Sequence, residues 1–143
     1  MTEVALNKAL LANSLMFCIG LILTSVLREQ LQKINKIDYK GGVYDFTEGN
    51  IALAINEIKE LPIHLGFINA NQHFYDLITL GKSFEQNIAS DRKSFSFKYI
   101  DWEHPENNIF HVSEEYSVLR TNRSDTYRPD LVLFINGMPL VVI

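Results

Sequence analysis

Two almost wholly apolar stretches, Leu131–Ile135 and residues 140–143, flank an Asn136-Gly137 pair and follow Pro129-Asp130. No other feature limits the fold of this chain as strongly. Asn-Gly favours a type I′ turn, because both central positions need positive φ. The stretch is therefore predicted to be a β-hairpin. Strands that are apolar on both faces belong in the middle of a covered sheet. The remaining sequence has to supply the cover.

It supplies helices first. A helix is expected over residues 2–16, then Gly20, then a short buried strand near residues 21–23. Thr24–Ile34 reads as a second helix, with Thr24 or Ser25 as N-cap. Leu27, Leu31 and Ile34 share one face at i, i+4 and i+7. Tyr39-Lys40-Gly41-Gly42 breaks the pattern. Thr47 opens another helix that ends before Pro62. Its Asn50, Glu57 and Lys59 are expected outward, and Ile51, Leu53, Ala54, Ile55 and Ile58 largely inward. Residues 70–80 form a further helical stretch closed by Gly81.

After Lys82 the period changes from 3.6 to 2. Residues 94–100 alternate with aromatics on one face and read as a strand. Residues 102–108 are a polar connection, residues 109–112 and 116–119 short strands, and residues 120–127 a charged loop. Residues 1–143 thus form a single domain of α/β (α+β) class, helical over 1–81 and mainly strands over 94–143. Helices would flank a sheet centred on the final hairpin.

Composition fits one globular domain: 47% of the 143 residues are apolar and 21% charged. A formal net charge of −4 argues against a surface that grips nucleic acid everywhere, but leaves room for a local basic strip. The single cysteine, Cys18, cannot form an internal disulfide and reads as a buried thiol in a reducing cytoplasm. Residues 9–27 carry no charge, which raises a membrane or signal reading. Asn13, Ser14, Thr24 and Ser25 interrupt that run, and Glu3 spoils a basic leader. A soluble core, with no membrane partner, is the better expectation.

Most candidate chemistry fails on spacing. Gly81-Lys82-Ser83 lacks the earlier glycine of a phosphate loop, since Asp76 occupies that position. His64, His73, His104 and His111 include no i, i+4 pair of a helical zinc site. No G-x-S-x-G elbow occurs. Asp130 stands apart. Pro129 suits a strand entrance, which would put Asp130 at the edge of a buried strand beside solvent. A carboxylate there can hold a hard cation through oxygen, as magnesium prefers. Equally, it can cap the loop. Spacing alone leaves both readings open.

The stretch Arg128-Pro129-Asp130-Leu131-Val132-Leu133-Phe134-Ile135-Asn136-Gly137-Met138-Pro139-Leu140-Val141-Val142-Ile143 resembles the nuclease segment of the restriction (R) subunit of type I restriction–modification enzymes. Two other stretches agree, in order. Arg28-Glu29-Gln30-Leu31-Gln32-Lys33-Ile34-Asn35 is similar to a helix and following asparagine near the family's N-terminus. Ile100-Asp101-Trp102 with Pro105-Glu106-Asn107-Asn108-Ile109-Phe110-His111-Val112 is similar to the strand–loop–strand before the nuclease hairpin.

The resemblance implies a restriction-endonuclease-like mixed sheet flanked by helices and a PD-(D/E)xK site. In that site an aspartate and a glutamate hold Mg2+, and a lysine orients water or stabilises the phosphate. Asp130 matches the aspartate. Glu3 is a weaker match to an additional acid on the first helix, where Asn7 stands in place of a second candidate. Arg120, Arg123 and Arg128 cluster beside Asp130 and would position DNA phosphates, although an ordinary solvated loop accounts for them as well.

Family members continue from the last apolar strand directly into Glu-Leu-Lys. The sheet and the site are therefore expected to be incomplete at the C-terminus, and the chain to be an N-terminal fragment that is inactive alone. The whole enzyme implied by the resemblance translocates double-stranded DNA with ATP in a separate motor part. It then cleaves unmodified DNA together with methylation and specificity subunits. A different reading of the same residues is a non-catalytic helical domain that binds a partner protein.

Overall fold

A computed structural model describes residues 21–114, 118–119, 126–127 and 131–143. The helix expected over residues 2–16, and Cys18, lie outside the described residues. Among the described residues, three helices and nine strands follow in chain order: α1 (Thr24–Ile34), β1 (Lys36–Tyr39), β2 (Gly42–Asp45), α2 (Glu48–Lys59), α3 (Phe67–Leu80), β3 (Lys82–Ile88), β4 (Asp91–Phe97), β5 (Phe110–Glu114), β6 (Val118–Leu119), β7 (Thr126–Tyr127), β8 (Leu131–Ile135) and β9 (Met138–Val142). Single 3₁₀ turns lie at Ile63–Leu65 and Pro105–Asn107. The class is α+β, as expected, but the described strands form four antiparallel sheets: β1–β2, β3–β4, β6–β7 and the three-stranded β5–β8–β9.

Helix α1 has the predicted limits, and it buries Leu27, Leu31 and Ile34. Its N-cap differs. Leu23 occupies that position with no side-chain cap, so Thr24 and Ser25 fall inside the first turn. No strand forms at residues 21–23, because the helix begins at once and only Leu23 N–H finds a strand-hairpin partner, the Gly137 carbonyl at 2.9 Å. Leu21 instead packs with Val132 and Phe134.

The first 81 residues are not all helical. Lys40 and Gly41, both at positive φ, close the β1–β2 hairpin where the sequence signalled only a break. Helix α2 is capped by Thr47, whose hydroxyl accepts the Asn50 N–H at 3.3 Å. Two expectations within it are reversed: Asn50 is buried and Leu53 is 54% exposed. Asn50 turns inward because its amide donates to the Glu85 carbonyl and to Gln86 Oε1.

The predicted strand at 94–100 is displaced to Asp91–Phe97 and has a partner, β3, that the sequence did not announce. Ala89 and Ser90 both take positive φ in the connecting turn. Those residue types carry no hairpin signal. The inward faces of β3 and β4 deliver Phe84, Ile88 and Phe97 to the main core, joined by Phe46, Tyr99, α2 and α3. Phe97 is the hub. Its ring meets Phe46, Phe84 and Tyr99 edge-on, at centroid distances of 5.0, 5.3 and 5.6 Å.

The terminal sheet joins the two clusters. Val132 and Phe134 face Leu21, whereas Met138, with Ile135 and Leu140 against it, belongs to the main core. Strand β8 is paired on both edges; β9 is an edge of the described sheet, with Val141 and Ile143 exposed. Among the described residues the sheet centre is thus β8 and not the whole hairpin. Among the described residues no helix is long and apolar enough to cross a membrane.

Candidate functional site

The terminal hairpin turns where the sequence requires, with φ of 54° at Asn136 and 83° at Gly137. Strands β8 and β9 pair Ile135 with Met138 and Phe134 with Pro139. One residue, Leu140, is then bulged out, and pairing resumes with Leu133 opposite Val141 and Val132 opposite Val142. At the open end Leu131 and Ile143 exchange both backbone bonds, at 3.1 and 2.8 Å. On its other side β8 pairs with β5 over five steps, from Phe110 opposite Ile135 to Glu114 opposite Leu131.

The turn is held more firmly than its residue types require. Asn136 is fully buried. Its amide nitrogen donates to the Tyr99 carbonyl at 3.0 Å and to Asn108 Oδ1 at 2.8 Å. Its side-chain oxygen accepts the Ile109 N–H at 2.9 Å, while its own N–H donates to the Ile109 carbonyl at 2.8 Å. Asn108 extends this web: Oδ1 also accepts the Asp101 N–H, and Nδ2 donates to the carbonyls of Asp101 and Pro105. On the remaining side Gly137 lies so close to α1 that an added Cβ would sit 2.8 Å from the Leu23 carbonyl.

Asp101 is the buried acid of this web. Burial by itself raises its pKa, but hydrogen bonds from Asn107, Lys98 and the His104 N–H outweigh burial and leave it at about 2. Lys98 Nζ stands 2.9 Å from Oδ1, Asn107 Nδ2 3.0 Å from Oδ2, and the His104 nitrogen 3.3 Å from Oδ1. These three donors commit the carboxylate to the loop.

Apart from the Asn136 amide, the described hairpin contributes backbone and apolar side chains, with no titratable side chain. Asp130, Arg120, Arg123, Arg128 and Glu3 lie outside the described residues. Asp130 immediately precedes Leu131 in the sequence. Among the described residues there is no group of three or more His, Cys, Asp or Glu that could hold a metal ion. Gly81 closes α3 and Lys82 opens β3, where its ammonium bonds Glu57; neither belongs to a phosphate loop. Sequence reasoning missed the Asn136–Asn108–Asp101 web. Its one visible trace was a cluster of Asn and Asp between apolar strands.

The sequence profile of the family described as type I restriction enzyme R protein N terminus matches residues 20–143. The chain belongs to this family. Among curated relatives of this R-protein N terminus, the putative type I restriction enzyme MjaVIIIP endonuclease subunit of Methanocaldococcus jannaschii is 36% identical over 123 residues. That alignment covers 85% of the chain and 11% of the relative. The type I restriction enzyme HindI endonuclease subunit of Haemophilus influenzae is 28% identical over 123 residues, 86% of the chain and 11% of that protein. A second Methanocaldococcus jannaschii protein, the putative MjaIXP endonuclease subunit, is 33% identical over 70 residues, 48% of the chain and 7% of its own length. The chain therefore spans about a tenth of the first two relatives. No solved structure matches it significantly.

Proposed function

We propose that this R-protein N terminus belongs to the DNA-cutting portion of a type I restriction endonuclease subunit, working by a PD-(D/E)xK mechanism. The observation that carries the reading is the pairing of Leu131 with Ile143 at the open end of the hairpin, directly after Asp130. In an antiparallel ladder, residues that extend the two strands beyond such a pair stand side by side. A metal-binding aspartate before Leu131 and an acid–lysine pair following Ile143 in a parent subunit would meet there. The relatives' designation as endonuclease subunits supports the same reading.

A carboxylate is the donor type magnesium takes, and Asp130 would supply one; like Asp130, the rest of the set would come from outside the described residues. When bound, the ion would activate water and neutralise charge at the scissile phosphate. Asp130 would anchor it, with Glu3 as a weaker additional acid. Arg120, Arg123 and Arg128 would hold the backbone of double-stranded DNA without reading bases. ATP would serve only a motor elsewhere in the subunit. Methylation and specificity subunits would be the protein partners, and the cytoplasm the place of work.

The test is Asp130→Ala in the intact parent subunit, assembled with its partners. Magnesium-dependent cleavage is expected to disappear while ATP hydrolysis continues. Cleavage at the normal rate would overturn the assignment. The competing reading, a helical protein-interaction domain without catalysis, predicts that outcome.

A further inference from the structure

We infer that Asn136 is a positioning residue for cleavage: through Asn108, Tyr99 and Ile109 it fixes the register of the β8–β9 hairpin. The inference rests on the nuclease reading above. Its structural half stands apart from that reading.

An Asn-Gly turn needs only a residue that tolerates positive φ at its first central position. Glycine there would meet that need. Asn136 does more, since all its side-chain hydrogen-bonding atoms face partners inside the protein and none of its surface is exposed. Those partners lie in the Tyr99–Ile109 segment, so the turn is tied to a part of the chain that precedes both hairpin strands.

The hairpin needs such a tie. Its residues are apolar on both faces, so hydrophobic patterning alone is a weak guide to pairing. A slip of one residue exchanges the faces of a strand. Here β9 also carries a bulge at Leu140, which already shifts pairing by one residue between the turn and the open end. Pairing near the turn and pairing at Leu131–Ile143 are therefore set separately, and the turn must be anchored for the bulge to stay in place. Asn136 anchors it against Asn108, and Gly137 against the N-terminus of α1. Asp130 precedes Leu131 in the sequence; on the nuclease reading, the register of the Leu131–Ile143 pair would set which residues beyond that end stand side by side.

The experiment uses Asn136→Gly, which keeps a turn-competent residue and removes the side-chain web. Hydrogen exchange in the 143-residue chain should accelerate at the amides of Leu131 and Ile143, and remain unchanged in the β3–β4 ladder. In the assembled parent enzyme, half-maximal cleavage should need at least about tenfold more magnesium, the size of effect that supporting partners of metal ligands have. DNA binding and ATP hydrolysis should stay within about twofold, since no contact to either is removed. A variant unstable throughout would lose all of these together.

If Asn136→Gly does not fold, Asn136→Asp receives the same measurements, because it keeps the turn preference and the bond from Ile109 N–H but loses both donated bonds. Unchanged exchange at Leu131 and Ile143 in the folded variant overturns the register role. Accelerated exchange with unchanged magnesium dependence overturns the positioning role. Failure of the nuclease reading itself shows elsewhere, as cleavage that survives Asp130→Ala.

Discussion

Asn35 pairs with Lys98 as though its side chain were a length of strand. Its Oδ1 accepts the Lys98 N–H at 2.8 Å, and its Nδ2 donates to the Lys98 carbonyl at 2.8 Å. The same Nδ2 donates to the Leu31 carbonyl in the last turn of α1, at 2.9 Å. One buried amide therefore ties the helix end to the backbone beyond β4, 63 residues away. Asn35→Ala is expected to destabilise the chain by about 2 kcal/mol, the cost of leaving partly buried backbone groups unpaired. Urea unfolding followed by circular dichroism checks it. A change within experimental error would show that water replaces the amide without loss.

Gly81→Ala should be worse. Gly81 ends α3 with φ of 72° and ψ of −160°, a region that residues with a Cβ avoid. An added Cβ would lie 2.2 Å from the Phe97 carbonyl, so the β4 backbone itself would have to move. The expected loss is about 3 kcal/mol or more, combining backbone strain with the clash. The adjacent Lys82→Ala removes a surface ion pair with Glu57 and a distant contact of the ammonium with the Phe84 ring, and is expected to stay within about 1 kcal/mol. A phosphate-loop role would reverse the pattern by making Lys82 the sensitive position for binding inorganic phosphate.

How far the sequence revealed these relationships depends on how local they are. Asn136-Gly137 announced its turn because the requirement for positive φ resides in the two residues themselves. Thr47 announced the start of α2 for the same kind of reason, as a hydroxyl three residues before the N–H it caps. Ala89-Ser90 makes an equivalent turn with residues that carry no such signal, so β3 stayed hidden until Phe84, Gln86 and Ile88 were seen to face the core. Asn50 and Leu53 were read in reverse because helical periodicity sorts residues by polarity, while Asn50 is held inside by partners 35 and 36 residues away. Asp130 is singled out by the sequence alone and lies outside the described residues. The web that ties the turn to Asn108 and Tyr99 spans 28 and 37 residues and leaves no local pattern.

Asp101 makes stability depend on acidity in a definite window. Its folded pKa of about 2 lies below the usual aspartate value of about 3.9. A depressed acid stabilises the fold above its unfolded pKa, and that contribution is lost as pH falls through the folded one. Asp101→Asn should therefore be less stable than the parent chain at neutral pH, and the gap should narrow between about pH 4 and about pH 2. Urea midpoints measured for both proteins across that range check the prediction. A gap that does not change with pH would mean that Asp101 acts by shape and neutral hydrogen bonding alone.

Gln86 presents the opposite sign. Its Oε1 accepts the Thr47 N–H at 2.8 Å and the Asn50 amide at 3.2 Å, while its Nε2 donates to the Asp45 carbonyl at 2.8 Å. The residue is buried and joins β2, the α2 cap and β3. Gln86→Glu keeps the acceptor but replaces the donor with an oxygen that faces the Asp45 carbonyl. Burial and that carbonyl both disfavour the charged form, so the new carboxyl should titrate above the usual glutamate value of about 4.3. A raised folded pKa contributes stability below the unfolded value and loses it as pH rises through the folded one. Gln86→Glu should therefore be destabilised by about 2 kcal/mol at neutral pH, where the second carboxylate oxygen faces the Asp45 carbonyl, and should recover most of that near pH 4 once its O–H can donate to Asp45. Gln86→Met, which fills the space with neither donor nor acceptor, should be destabilised equally at both values. Parallel pH profiles for the two variants would rule out the donated bond to Asp45 as the source of the effect.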